Sequence, residues 1–197
     1  ETLPQAEDVG WAKAFPEKEY LFHVLTGIGY RFGGDAGVDA VAFGLSIAVV
    51  LSLFLVAASL STPALGAATT VILAAAGALR FYERLHMVRP HVLAILVFVW
   101  MLYAVCWRRP RLLFVACVLF ALSYHGLQVP LMVLGAALCA GLITRMPSLK
   151  LLLPGLSGLL VGVLANPYFP YNVTVMVQVL EIALGHSVIP QFHFGGE

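Results

Sequence analysis

Residues 40–79 read AVAFGLSIAVVLSLFLVAASLSTPALGAATTVILAAAGAL, forty positions without a charged side chain. A helix needs about 20 consecutive apolar residues to cross the roughly 30 Å hydrocarbon core of a bilayer, so the window is long enough for two spans. Ser61-Thr62-Pro63 supplies the turn between them, because a proline pushes the residue before it out of helical geometry.

The rest of the chain has the same character. Of 197 residues, 61% are hydrophobic and 11% charged, with a mean hydropathy of +0.95. Soluble domains carry about a quarter charged residues, so an ordinary water-soluble globule and a disordered chain are both excluded. A net charge of +1 lacks the basic surface that a nucleic-acid partner requires. The composition reads as a membrane protein with lipids as its solvent.

Further apolar windows predict further spans. Residues 90–107 make a third, and 112–144 a fourth and fifth that meet near 125–130. Residues 151–165 make a sixth, ended by Asn166-Pro167. The expected fold class is all-α: a polytopic transmembrane bundle of about six spans with two interfacial amphipathic helices. Between residues 17 and 32, Leu21, Val24, Leu25, Ile28 and Phe32 recur at helical spacing while Glu19, His23 and Arg31 fall elsewhere, the pattern of a helix lying on a membrane surface. A second such helix is expected where Tyr171, Thr174, Gln178, Glu181 and Gly185 step by three and four, leaving Val173, Val177, Leu180 and Leu184 to face lipid. The organisation predicted is an external loop with a surface helix (1–39), a six-span bundle (40–166) and a second external loop with a helix (167–197). A chain that starts with a polar loop and surface helix is expected to lack something upstream.

Lys and Arg collect in cytoplasmic loops. Arg108-Arg109-Pro110-Arg111 and residues 145–150 do so on one face, assigned to the cytoplasm, which places 1–39, 80–89, 125–130 and the tail outside. The loop at 80–89 is then an exception, with Arg80, Arg84 and Arg89 on the outer side. Arg80 and Arg84 stand one helical turn apart and offer planar forks suited to phosphate oxygens. The competing reading has Glu83 and lipid headgroups satisfying them as interfacial anchors.

The same topology gathers Glu19, His23, His91, His125, Gln128, Asn166 and Tyr168 at the outer face. Histidines near span ends usually face a protein interior or cavity. No two of the six histidines stand three or four apart as helix-borne ligand pairs do, and no metal is expected. A haem or chlorophyll ligand among them stays open. Cys106, Cys117 and Cys139 share no CxxC spacing and read as small buried hydrophobes. Asn172-Val173-Thr174 matches the glycosylation pattern on a segment poorly suited to it.

Several short runs occur in a telling order: Phe15-Pro16-Glu17-Lys18-Glu19-Tyr20-Leu21-Phe22-His23-Val24-Leu25, Tyr30-Arg31-Phe32-Gly33-Gly34, Val88-Arg89-Pro90-His91, Tyr124-His125-Gly126 and Asn166-Pro167-Tyr168-Phe169-Pro170. The series resembles bacterial polytopic GT-C-type glycosyltransferases over nearly the whole chain. The resemblance implies a multi-pass protein of the bacterial cytoplasmic membrane that transfers a sugar from a polyprenyl-phosphate carrier on the extracytoplasmic face, with that lipid-linked sugar as substrate and no separate cofactor. It implies a carboxylate base, with Glu19 and Asp8 as candidates, and phosphate held by Arg80, Arg84 and Arg89. His23, His91, His125, Asn166 and Tyr168 would line the cavity. Two departures stand out. The family's acid lies in an Asp-x-x-Trp-His motif, of which Asp8-Val9-Gly10-Trp11 keeps Asp and Trp but not His, and Phe169 replaces a usual Gly. The alternative from another class is a non-catalytic structural subunit of a larger membrane assembly. A transporter is less well supported, because Glu83 is the only acid between residues 40 and 178 and coupled transport relies on intramembrane charge.

Overall fold

The computed structural model describes residues 19–86, 88–145 and 149–183. Asp8, the 145–150 loop beyond Arg145 up to Leu149, and the tail past residue 183 lie outside them. The fold is all-α, and among the described residues there is no strand. The described residues form seven helices in order: α1 (Tyr20–Leu60), α2 (Pro63–His86), α3 (Pro90–Cys106), α4 (Pro110–Ser123), α5 (Gln128–Ile143), α6 (Leu149–Ala165) and α7 (Tyr171–Ala183).

Local chemistry fixes the boundaries. Thr62 accepts the Leu65 N–H on its side-chain oxygen at 3.3 Å, and Pro63 begins α2, the combination of N-cap hydroxyl and N1 proline that starts helices. α3 ends with the Arg109 N–H donating to the Ala104 carbonyl at 2.7 Å and the Arg108 N–H to that of Val105 at 3.2 Å. Arg108 itself has φ of 51°. This is the Schellman closure, with arginine where glycine is usual, and Pro110 starts α4 directly afterwards. α2 runs unbroken to His86, so Arg80 and Arg84 belong to a helix rather than to the expected loop. No glycine or proline follows Gly77 until Pro90, and nothing stops the helix sooner.

α1 is broken at Gly34, where φ is 59° and ψ is −143°, a conformation open mainly to glycine. The chain turns back there. A methyl group on Gly29 would lie 2.6 Å from the Gly37 carbonyl oxygen, and one on Gly37 would collide with the Gly29 carbonyl. The two arms, 20–33 and 35–60, therefore meet backbone to backbone at their apex. Asp35 and Asp39 lie on the second arm, and helix begins there before the apolar window does.

The second arm and α3 run parallel. Trp100 donates from its indole nitrogen to Ser52 Oγ at 3.1 Å and Trp107 to Ser59 Oγ at 3.3 Å, both pairs 48 positions apart; a constant offset means a common direction. α2 returns antiparallel, with Gly66 so close to Ala58 that a β-carbon would fall 2.7 Å from its backbone nitrogen. α4 and α6 also run parallel. Gly158 packs on the Phe114 carbonyl and the Cys117 side chain, and Gly162 on Val118 and Ala121. α5 crosses between their ends and lays Leu134 over Gly155. The core between these helices includes Phe22, Val97, Met101, Leu113, Cys117 and Phe120.

By length and composition, α1 is the one helix among the described residues that qualifies as membrane-crossing, and α3 to α6 are shorter apolar helices of 14 to 17 residues. Apolar side chains also face outward: Ile143 is 83% exposed, Met132 72%, Leu153 66% and Val71 65%.

The glycine contacts predict a contrast. Gly162→Val drives a side chain into Ala121 and the Val118 backbone and should cost about 1–3 kcal/mol or more, as overpacking does. Gly135→Ala, where a β-carbon meets nothing within 4 Å, should stabilise by about 0.5–1 kcal/mol. Thermal unfolding of the detergent-solubilised variants measures both.

Candidate functional site

Parallel α4 and α6 finish at the same end of the bundle. α3, antiparallel to α4 through the tight turn at Arg108, begins there. The first arm of α1 joins them by inserting Phe22, 3% exposed, into the common core. One end therefore collects Glu19 and His23 from α1, Arg89 and His91 from the start of α3, Tyr124 and His125 after α4, and Asn166 and Tyr168 after α6.

Within this set the closest polar juxtaposition is Glu19 with His125. The imidazole Nδ1 stands 3.4 Å from the carboxylate Oε1, and both side chains are only 18% exposed. Nδ1 is buried and has no aligned hydrogen bond among the described residues. The imidazole lies 4.5 Å from the Tyr124 ring at a 39° tilt, and Tyr124 meets Phe120 edge-on at 6.1 Å, so the core holds the histidine's orientation. Gly126 is required here: a β-carbon would lie 2.6 Å from the Tyr124 ring. Glu19 is fixed by the opposite logic, since its carbonyl accepts the Phe22 and His23 N–H groups at 3.0 and 3.2 Å and starts the helix that buries Phe22.

Asn166 is 2% exposed. Its Oδ1 accepts the Tyr168 N–H at 2.9 Å, while its Nδ2 is buried without a partner among the described residues. The residue therefore shapes the turn after α6 and still holds an unused donor. Asn172, fully buried, donates from Nδ2 to the Val163 carbonyl at 3.0 Å. That bond ties α7 back to the last turn of α6 and removes the amide nitrogen from any role as a glycosylation acceptor. Sequence reasoning missed this function. The available signal was a second asparagine close behind Asn166-Pro167, in a segment too apolar to leave it in water.

The remaining candidates are spread more widely. His91 is half-buried in the first turn of α3, whereas Arg89, in extended conformation at φ −138° and ψ 144°, His23 and Tyr168 are exposed. Arg80 and Arg84 sit on the backbone of α2 as it returns toward Arg89, and their side chains lie outside the described part. Beside the α6–α7 turn, Phe169, Pro170, Val173, Thr174, Val177 and Glu181 line a hollow of about 580 Å³, so the polar and apolar stripes of α7 share one wall. No group of three or more His, Cys, Asp or Glu side chains suited to a metal ion occurs among the described residues.

Removing the Asn172 amide by Asn172→Leu should cost about 1–3 kcal/mol, the usual consequence of leaving a buried carbonyl unsatisfied, and should speed hydrogen exchange across residues 163–172. Tyr168→Phe, at an exposed position, should leave both stability and exchange unchanged. No family model, curated protein or solved structure matches the chain.

Proposed function

We propose that this chain is a multi-pass membrane protein of the GT-C glycosyltransferase type, or the membrane-embedded part of one, that takes a sugar from a polyprenyl-phosphate carrier on the extracytoplasmic face of a bacterial cytoplasmic membrane. The observation that carries the reading is the partly enclosed Glu19 carboxylate beside His125, at the bundle end where Arg89, His91 and Asn166 also lie. Glu19, Phe22 and His23 repeat the acid-x-x-aromatic-His spacing of the family motif more closely than the Asp8 segment does. Glu19 is thus the preferred base.

Sugar transfer needs a carboxylate to take the proton of the acceptor hydroxyl and cations to stabilise the departing phosphate. In this reading Glu19 is the base and Arg89 meets the phosphate, joined by Arg80 and Arg84 from the end of α2. The outward apolar side chains support a lipid-facing surface, since water-soluble proteins rarely expose large contiguous apolar patches. Helices of 14 to 17 residues measure about 21–26 Å at 1.5 Å per residue, so a bundle of about six spans requires local bilayer thinning or snorkelling by the flanking arginines. Arg109, Arg111 and Lys150 stand at the end opposite Glu19, which supports a cytoplasmic assignment for that end.

One observation favours the structural-subunit reading: an apolar groove of about 490 Å³ between α3 and α5, lined by Phe98, Leu102, Val129, Met132 and Val133 among others, suits a neighbouring helix. Such a subunit would migrate as a stoichiometric complex and transfer no sugar.

The test is binding and turnover of a radiolabelled polyprenyl-phosphate sugar by the chain in nanodiscs. Arg89→Gln and Arg84→Gln should each weaken binding about tenfold, equal to roughly 1.4 kcal/mol. Glu19→Gln should keep binding and lower transfer by about 10²–10⁴-fold, the usual contribution of a general base. Unchanged affinity in both arginine variants removes the phosphate role.

A further inference from the structure

We infer that His125 is a positioning residue for Glu19: its Nδ1 accepts a hydrogen bond from the carboxyl that forms when Glu19 takes up the acceptor proton, and then receives that proton. The inference rests on the transfer reading above and goes beyond it by assigning the histidine a specific act. During transfer the acceptor oxygen bonds to the anomeric carbon, and the bond from that carbon to the phosphate oxygen breaks with its electron pair leaving on the phosphate. The acceptor proton passes to Glu19 and from there to His125 Nδ1. With the proton on Nδ1, the carboxylate is regenerated without a water molecule entering the site.

Three features support this assignment over a simple helix staple. The nitrogen that faces Glu19 is Nδ1, buried and without an aligned hydrogen bond among the described residues, so it has room to accept a proton from that side. The 3.4 Å separation is long for a settled bond, and catalytic hydrogen bonds are often long before substrate tightens them. The imidazole is also held from behind by the Tyr124 ring, in a turn whose Leu127 N–H donates to the His125 carbonyl at 2.9 Å. The histidine is thus held in place, and Glu19 stands beside it at the very start of its helix.

His125→Gln, which keeps polarity and size but accepts no proton at that position, should lower kcat about a hundredfold with KM for the lipid-linked sugar within about twofold. His125→Gly should lose a similar factor and regain at least tenfold when imidazole is added to the buffer, whereas Glu19→Gln should gain nothing from imidazole. A raised KM at unchanged kcat in His125→Gln overturns the inference, as does a folded His125→Gly that imidazole leaves inert; should His125→Gly not fold, the His125→Gln split decides. Side-chain 15N spectra of histidine-labelled protein give a readout independent of turnover, because Glu19→Gln should change the proton occupancy of His125 Nδ1. An unchanged spectrum overturns the pairing while leaving the transfer reading intact. A wild-type chain that transfers no sugar overturns the transfer reading, and the proton role falls with it.

Discussion

The close parallel contact between α4 and α6 is the constraint on which the site depends. Gly158 and Gly162 bring the α6 backbone against the Phe114 and Val118 carbonyls, so the two helices cannot slide or rotate without a backbone collision. Because they point the same way, their carboxyl ends must lie together, and His125 and Asn166 follow those ends directly. Close approach through small residues suits an environment in which lipid offers apolar side chains no preference for protein, and packing has to supply the association.

The contact also explains the division of labour among the other helices. α3 reaches the same end because its turn into α4 takes the shortest route available, a Schellman closure followed at once by Pro110. The first arm of α1 has no such covalent shortcut. It is attached through Phe22 in the core and through Glu19 near His125, two points one turn apart, so the placement of the acid and the burial of the aromatic ring are a single event. Asn172 does for the far side of the site what Phe22 does for the near side: one buried contact fixes the direction in which a terminal helix leaves the bundle.

Much of the helix pattern was legible in the sequence, since charge-free windows, Ser61-Thr62-Pro63 and Pro110 are local signals and the structure places its breaks at them. The all-α class follows from the same signals. The bend at Gly34 was half legible: the amphipathic pattern stops at Phe32, just before Gly33-Gly34, but the return that presses Gly29 on Gly37 depends on contact between residues that no periodicity links. The extension of α2 through Arg80 and Arg84 was misread because clustered charge suggests a loop, although nothing there forbids helix. At the site, Glu19 and His125 were each visible as polar residues at an apolar boundary. Their pairing was not, because it is set by the α4–α6 crossing and by Phe22, both products of tertiary packing. Asn172 was hidden for the same reason.

The two tryptophan–serine bonds between α1 and α3 share an offset of 48 positions, which makes them graduations on a ruler. Sliding α1 by one helical turn, about 5.4 Å, would break both and leave each hydroxyl facing the wrong indole edge. Glu19 precedes the first arm, which turns back at Gly34 and packs on the second arm through Gly29 and Gly37. The register of the second arm, and with it the bend at Gly34 from which the first arm returns, is therefore metered by hydroxyl groups well away from Glu19.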